Sequence, residues 1–245
     1  MGWREVAMLY LNLLRCCLLI VLLLKPAFAA QQVQPESFRP IASSQLKPVY
    51  GPLAEQIVAD FNLVDKPGIG IDLGSGPGDL IIELCKRTRQ LHWINADINP
   101  RFFPGFMQMA HQAGFDSRVS AIYADAQNLP FHDNYAAVIV SRGSFHLWQD
   151  LNKAFAEIYR VLGPGGVAFI GRGFSENLPI EIAGKIRSQQ RKRGFDLSYD
   201  VNKTAEWFKA IMERLSVKDY RIRIPQPSGN KEIKYGIWLE FHKPE

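Results

Sequence analysis

Ile69-Gly70-Ile71-Asp72-Leu73-Gly74-Ser75-Gly76-Pro77-Gly78-Asp79-Leu80 is the stretch that decides how this chain folds. It opens as a short apolar run of the kind that forms a buried parallel strand. It then breaks into a turn with glycine at alternate positions and continues into residues 80–84, which read as a helix. Gly74, Gly76 and Gly78 lack Cβ, so the backbone here can turn sharply and lie directly against a ligand. The helix after the turn directs free N–H groups and its positive dipole end to the same place, which favours a carboxylate or phosphate. Strand, glycine turn and helix together make the nucleotide-type site of an open α/β sheet.

The turn departs from two phosphate-binding patterns. A dinucleotide fingerprint needs its third glycine at position 79, which is Asp79, and a P-loop needs a lysine that this turn lacks. Acids further along the chain carry the signal instead. Asp97 closes the apolar run 91–96, about 20 residues past the glycines, where an acid can accept hydrogen bonds from ribose hydroxyls. Asp125-Ala126 closes a third run, 119–124. Two acids at successive strand ends suit a neutral nucleoside and would repel a polyphosphate.

Residues 71–78, then Asp97, then Asp125-Ala126-Gln127-Asn128-Leu129-Pro130-Phe131 resemble the class I S-adenosylmethionine (SAM)-dependent methyltransferases. Glu157-Ile158-Tyr159-Arg160-Val161-Leu162-Gly163-Pro164-Gly165-Gly166 is similar to the helix and turn before their fifth strand. The resemblance spans residues 50–175 and implies SAM as cofactor, with the acceptor left open. It implies that Gly74, Gly76 and Gly78 admit the amino-acid end of SAM and that Asp72 supports that turn or the ammonium. Asp97 would take the ribose hydroxyls, and Asp125 the adenine amino group with the Ala126 backbone alongside.

From residue 69 onward strands and helices alternate, which calls for a parallel sheet. Strands are expected near 69–73, 91–96, 119–124, 136–141 and 166–171, and helices near 79–89, 101–113 and 150–162. Upstream, residues 50–63 read as an amphipathic helix with Leu53, Ile57, Val58 and Phe61 on one stripe. In the resembled family a helix here lends an aromatic to the cofactor site, and Tyr50 is the candidate, with an exposed linker position as the alternative. Two alternating runs, 220–224 and 235–241, flank a turn-rich loop and predict a terminal hairpin. The expected architecture is a doubly wound, mostly parallel seven-stranded α/β sheet with a C-terminal antiparallel hairpin. Between 172 and 216, residues 178–193 and 202–215 look helical, the second with Trp207, Phe208, Ile211, Met212 and Leu215 as a core stripe. This return is where such folds build a substrate lid. Arg187, Arg191, Lys192 and Arg193 make it basic, as a solvated face or a contact for an anionic group.

Residues 1–30 are foreign to the rest of the chain. Arg4 is followed by an unbroken apolar run, 16–24, and by the small-x-small triplet Ala27-Phe28-Ala29, the layout of a secretory signal peptide. The rival is an uncleaved membrane anchor over 6–24, against which Arg15 counts, since a central arginine costs about 2.5–3.5 kcal/mol on insertion scales. The organisation predicted is therefore 1–30 signal peptide or anchor, 31–48 linker, and 49–245 one catalytic domain. Membrane association or export follows, with the domain facing the cytoplasm if the segment stays as an anchor.

At 245 residues with 47% hydrophobic and 22% charged residues the composition is that of a globular chain. A net charge of +5 slightly favours anionic surfaces or substrates, and no nucleic-acid module is recognisable, so no nucleic-acid partner is expected. Cys85 is the one cysteine outside the leader and reads as a core residue; no zinc spacing appears and no metal is expected.

Methyl transfer is an in-line displacement, so the protein's main task is placement, and a base is needed only for a protonated nucleophile. The run 141–148 ends the fourth strand, at the ligand crevice of an open sheet. Arg142 and Trp148 are the substrate-binding candidates there. His146 is the catalytic candidate, with cofactor packing or helix capping as its alternatives. The expected activity is methyl transfer from SAM to a small-molecule or lipid-like acceptor. The rivals are an aminopropyl-type transfer from decarboxylated SAM and a membrane-tethered SAM sensor or scaffold without turnover.

Overall fold

Alternating apolar runs and amphipathic segments leave each strand flanked by helices, and parallel pairing buries both faces of such a sheet. The structure, a computed structural model, describes residues 44–192, 200–226 and 235–245. Its elements in chain order are α1 (Lys47–Asp60), β1 (Gly68–Leu73), α2 (Asp79–Cys85), β2 (Leu91–Asp97), α3 (Phe103–Gln112) and β3 (Val119–Tyr123). They continue as β4 (Ala136–Arg142), α4 (Leu151–Val161), β5 (Leu162–Gly173), α5 (Ile180–Lys192), α6 (Val201–Arg214), β6 (Tyr220–Arg223) and β7 (Gly236–His242).

One seven-stranded sheet has the order β3-β2-β1-β4-β5-β7-β6. The strands from β3 to β5 pair in parallel. β7 enters antiparallel between β5 and β6, so the predicted terminal hairpin is present and closes that edge. Chain order reverses between β1 and β4, which opens a crevice at the carboxyl ends of these two strands.

Period-2 alternation divides the core into two layers. Trp93, Val138, Val140, Phe169 and Trp238 face one side, with α1, α2, α3 and α5 over them. Ile71, Ile94, Ile139, Ile170 and Phe241 face the other, under α4 and α6. Phe169 and Trp238 stack with centroids 4.6 Å apart, and Phe155 of α4 meets Phe208 of α6 edge-on at 5.8 Å. Truncating a buried ring of this kind costs about 3–5 kcal/mol, so these rings hold the layers together.

Several boundaries differ from the sequence reading. Residues 1–30, and the linker up to 43, lie outside the described residues. The helix expected over 50–63 starts at Lys47, inside the stretch read as linker, with Pro48 suited to its first turn and Val49 fully buried. α2 ends at Cys85 rather than 89, because the Arg87 N–H closes a tighter bond to Leu84 O (3.0 Å) and the Thr88 hydroxyl caps the same carbonyl at 2.9 Å. β5 begins at Leu162, four residues earlier than expected. Trp207 does not belong to the core stripe of α6: Phe208, Ile211 and Met212 are buried while Trp207 is 47% exposed, one helical step of about 100° away. Cys85 is buried in the core, and burial pushes its thiol up to about 11. Among the described residues no helix is long and apolar enough to cross a membrane.

Candidate functional site

The glycine turn lies where β1 meets the crevice. Gly74, Gly76 and Gly78 all have left-handed φ, at 69°, 57° and 86°. A side chain is unfavourable at such a φ. At two of the three positions the space a Cβ would need is already filled by protein. On Gly74 it would overlap Ser144, and on Gly78 the Phe106 ring of α3. Close packing of the turn against β4's exit loop and α3 therefore requires Gly74 and Gly78, in addition to the ligand approach that the sequence reading assigns to all three glycines.

Two side chains of β2 hold the turn in shape. Asp97 Oδ2 accepts from Gly76 N at 2.8 Å, and Oδ1 accepts from Asn99 N at 2.8 Å. Asn95 Nδ2 donates to Gly76 O at 3.1 Å. The Asp97 carboxylate is 7% exposed, and each oxygen keeps acceptor capacity beyond its backbone bond. Burial raises its pKa, and the two N–H donors act against that rise.

Asp72, at the end of β1, is 2% exposed and accepts from the Ser75 hydroxyl at 2.8 Å. Burial pushes its carboxyl up to about 7; Ser75 and Arg142 oppose the shift and Asp97 adds to it. Tyr50 of α1 lies beside this group, buried, its phenol pushed up to about 12 chiefly by burial.

Arg142 ends β4, as the sequence reading has it, but faces away from the other two candidates of its run. Its guanidinium lies 5.4 Å from the Tyr50 ring centroid, and Nε donates to Gly173 O at 3.2 Å. The cause is strand parity: residues 138, 140 and 142 share the α1 face of β4, so Arg142 turns toward Tyr50 and Asp72. His146 and Trp148 lie beyond the strand end and point elsewhere.

Those two residues line a cleft of about 280 Å³ over the ends of β4 and β5. Phe145, Trp148, Leu151 and Trp207 supply its apolar walls, and His146 and Arg172 are among its polar groups. Trp148 is half-buried and meets Phe155 edge-on at 6.0 Å. His146 sits exposed at the rim; desolvation and then the Arg172 cation hold its imidazole well below the ordinary value, at about 4. Thr204 and Trp207 come from α6, so the segment read as a lid contributes one cleft wall.

The Asp125 loop is built from a third direction. Asp125 Oδ1 accepts from Gln127 N at 2.9 Å, and Gln127 Oε1 accepts from Asp150 N at 2.8 Å, tying this loop to the one beyond Trp148. Glu157 and Arg160 of α4 pin its far end: Glu157 Oε2 accepts from Leu129 N at 2.8 Å, and Arg160 donates to Leu129 O and Phe131 O. Ala126 is buried in the α4 layer. Ser144, Asn95, Arg172 and Thr204 went unnoticed in the sequence. Only Ser144, as a small residue in a glycine-adjacent loop, carried any local sign.

No group of three or more His, Cys, Asp or Glu residues able to hold a metal occurs among the described residues. The donor set does fit a SAM-type molecule. Acids at the turn suit an ammonium, a guanidinium beside them suits a carboxylate, and the carboxylates of Asp97 and Asp125 at successive strand ends suit ribose and adenine donors.

Sheet order, glycine turn and strand-end acids are those of a class I SAM-dependent methyltransferase domain, a class whose methyl donor is S-adenosyl-L-methionine. Residues 71–166 match the family model of the methyltransferase domain. A demethylmenaquinone methyltransferase of Thermus thermophilus is 36% identical over 108 residues, 44% of this chain and 48% of that protein. The ubiquinone/menaquinone biosynthesis C-methyltransferase of Rickettsia prowazekii is 25% identical over 177 residues, 67% of this chain and 69% of that protein. The chain thus spans about half the length of the first of these relatives. A crystal structure of a Methanococcus maripaludis protein assigned to the SAM-dependent methyltransferases superposes with a TM-score of 0.74 at 27% identity. It covers 89% of this chain and 98% of that one. A SAM-dependent methyltransferase from Aquifex aeolicus shares the fold, with a TM-score of 0.61 at 15% identity over 86% of this chain and 100% of that one.

Proposed function

We propose that this protein transfers a methyl group from SAM to a small-molecule or lipid-like acceptor seated in the cleft over β4 and β5. The observation that carries the reading is a shared loop. The glycine turn packs on Ser144, and the same loop continues into Phe145, His146 and Trp148, which line the cleft. A donor held at the turn and an acceptor held in the cleft would meet across one rigid connection. That is what a reaction governed by proximity requires.

Bound SAM supplies an electrophilic sulfonium methyl; the chain's own residues supply position. Asp97 and the Asp125 loop hold the nucleoside end. Walls of Phe145, Trp148 and Trp207 exclude water and favour an acceptor with a flat apolar body. His146 is neutral at pH 7 and a weak base, lowered to about 4, so its ring can accept a hydrogen bond from an acceptor hydroxyl at the rim and orient it. The modest cleft volume suits a ring-sized head group and leaves any longer chain outside. The quinone-directed names of the curated relatives agree with such an acceptor, and residues 1–30 would bring the domain to the membrane where lipid-like quinols reside.

The test is release of S-adenosylhomocysteine by the full chain in mild detergent, given SAM and pooled acceptors that include a short-chain prenylated hydroquinone. Turnover dependent on one member of the pool is expected. Tight SAM binding with no turnover on apolar or water-soluble acceptors would refute the enzyme reading.

A further inference from the structure

The cleft over β4 and β5 carries charge of one sign. Among the described residues that line it, Arg172 is the one charged side chain, and no carboxylate is present. Strand parity puts it there: Ala168 and Ile170 face α4 and α6, and Arg172 lies two residues further along the same face of β5. Lys203 adds to that sign from α6, its Nζ 5.3 Å from the centroid of the Trp207 ring that forms one wall. Two aspartates stand at the starts of the adjoining helices and are taken up as their caps. Asp150 Oδ1 accepts from Lys153 N at 3.1 Å, and Asp200 Oδ1 accepts from Asn202 N at 2.9 Å and Lys203 N at 3.1 Å.

Phe145, Trp148 and Trp207 surround this charge with apolar surface. In so dry a setting a cation attracts an anion more strongly than in open water. The one candidate base of the cleft points the same way. Desolvation and the Arg172 cation keep the His146 imidazole neutral and a poor proton acceptor. An acceptor oxygen that is to react as a nucleophile must therefore be ionised already, its proton lost to bulk water. The cation that disfavours a charged imidazole favours such an anion. We propose that the cleft binds its acceptor as an oxyanion on a flat ring, a phenolate or a ring carboxylate, and that Arg172 selects the ionised form. The inference rests on the reading of this cleft as the acceptor site and names the chemical class of the acceptor.

The full chain in mild detergent, loaded with S-adenosylhomocysteine and titrated with para-nitrophenol across pH, tests it. The phenolate of this probe is yellow and its phenol colourless, so the spectrum reports which form is bound. The bound probe should ionise at a pH about one unit lower than the free probe, a preference for the anion of about ten-fold. Arg172→Gln should abolish that preference and Arg172→Lys should keep most of it. Both variants should bind S-adenosylhomocysteine as the wild type does, which reports that they are folded. Naphthoate against its neutral amide repeats the comparison for a carboxylate, and a preference confined to this pair assigns the anion to a ring carboxylate. Equal binding, or no binding, of both members of both pairs by the wild type would overturn the assignment, as would a preference that Arg172→Gln retains; either leaves the methyltransferase reading standing. A wild-type chain that does not bind S-adenosylhomocysteine would remove that reading and the inference with it.

Discussion

Asp97→Ala should damage both the fold and the site, in proportions the structure fixes. The carboxylate accepts two backbone N–H groups, from Gly76 and Asn99, each at 2.8 Å in a nearly closed environment. Leaving a buried donor without an acceptor costs about 1–3 kcal/mol, so losing both costs about 2–6 kcal/mol. Water entering from the crevice replaces part of this, which places the net loss near the low end, about 3 kcal/mol. For a domain of this size each kcal/mol moves the melting temperature by about 2–4 °C, so a fall of about 6–12 °C is expected. Asp97→Asn keeps one acceptor oxygen and should lose about half as much. Binding of S-adenosylhomocysteine should weaken about ten- to a hundred-fold in Asp97→Ala, from lost ribose bonds and a loosened turn together. A 2′-deoxy analogue separates these causes. The wild-type chain should prefer the ribose form, and Asp97→Ala should have lost that preference. Thermal melts paired with titrations decide the matter. An unchanged melting temperature would show that the carboxylate does not hold the turn, and a retained ribose preference would show that it does not read the sugar.

Gly74→Ala combines a left-handed φ with overlap on Ser144, and should cost at least about 1–2 kcal/mol, visible as a lowered melting temperature that Ser144→Gly partly restores. His146→Ala and Trp148→Ala, both lining the cleft, should lower kcat more than they weaken S-adenosylhomocysteine binding; equal losses would place them against the donor instead. Asp72 makes a prediction about pH. Its folded pKa, about 7, lies above the unfolded value near 4, so the folded chain keeps a proton that the unfolded chain releases. Its burial therefore costs nothing below about pH 4, and the cost grows until about pH 7 and levels off above. Asp72→Asn should be more stable than the wild type at pH 8, with the gain shrinking as pH falls toward 4; a pH-independent difference between the two melts would contradict the assignment.

The sequence made the alternation, the sheet and the terminal hairpin legible because each rests on local periodicity and on turn residues next to one another in the chain. Asp97 and Asp125 were legible for the same reason, as acids that end apolar runs. What could not be read were contacts across the crevice. Ser144 meets Gly74, and Phe106 meets Gly78, through the sheet order and the packing of α3, so this packing need for the two glycines had no local sign in the sequence. Trp207 looked like core because the α6 stripe leaves one helical step undecided, and the position of Thr204 and Trp207 at the cleft depends on where α6 docks.

Arg142 shows most clearly where a linear reading stops. Six residues from Trp148 and four from His146, it shares their loop in the sequence and not their direction in space. Strand parity puts it under α1, where Tyr50 waits, while the strand's exit carries its neighbours to the α6 side. Above about pH 7, where Asp72 is ionised, Asp72 and Arg142 carry opposite charges and do not form an ion pair with each other. Two desolvated charges of opposite sign gain by closing on one another unless the backbone holds them apart. Here β1 and β4 are adjacent parallel strands whose register pairs Asp72 with Val140, which leaves Arg142 two residues further along. The sheet itself thus keeps the two side chains apart.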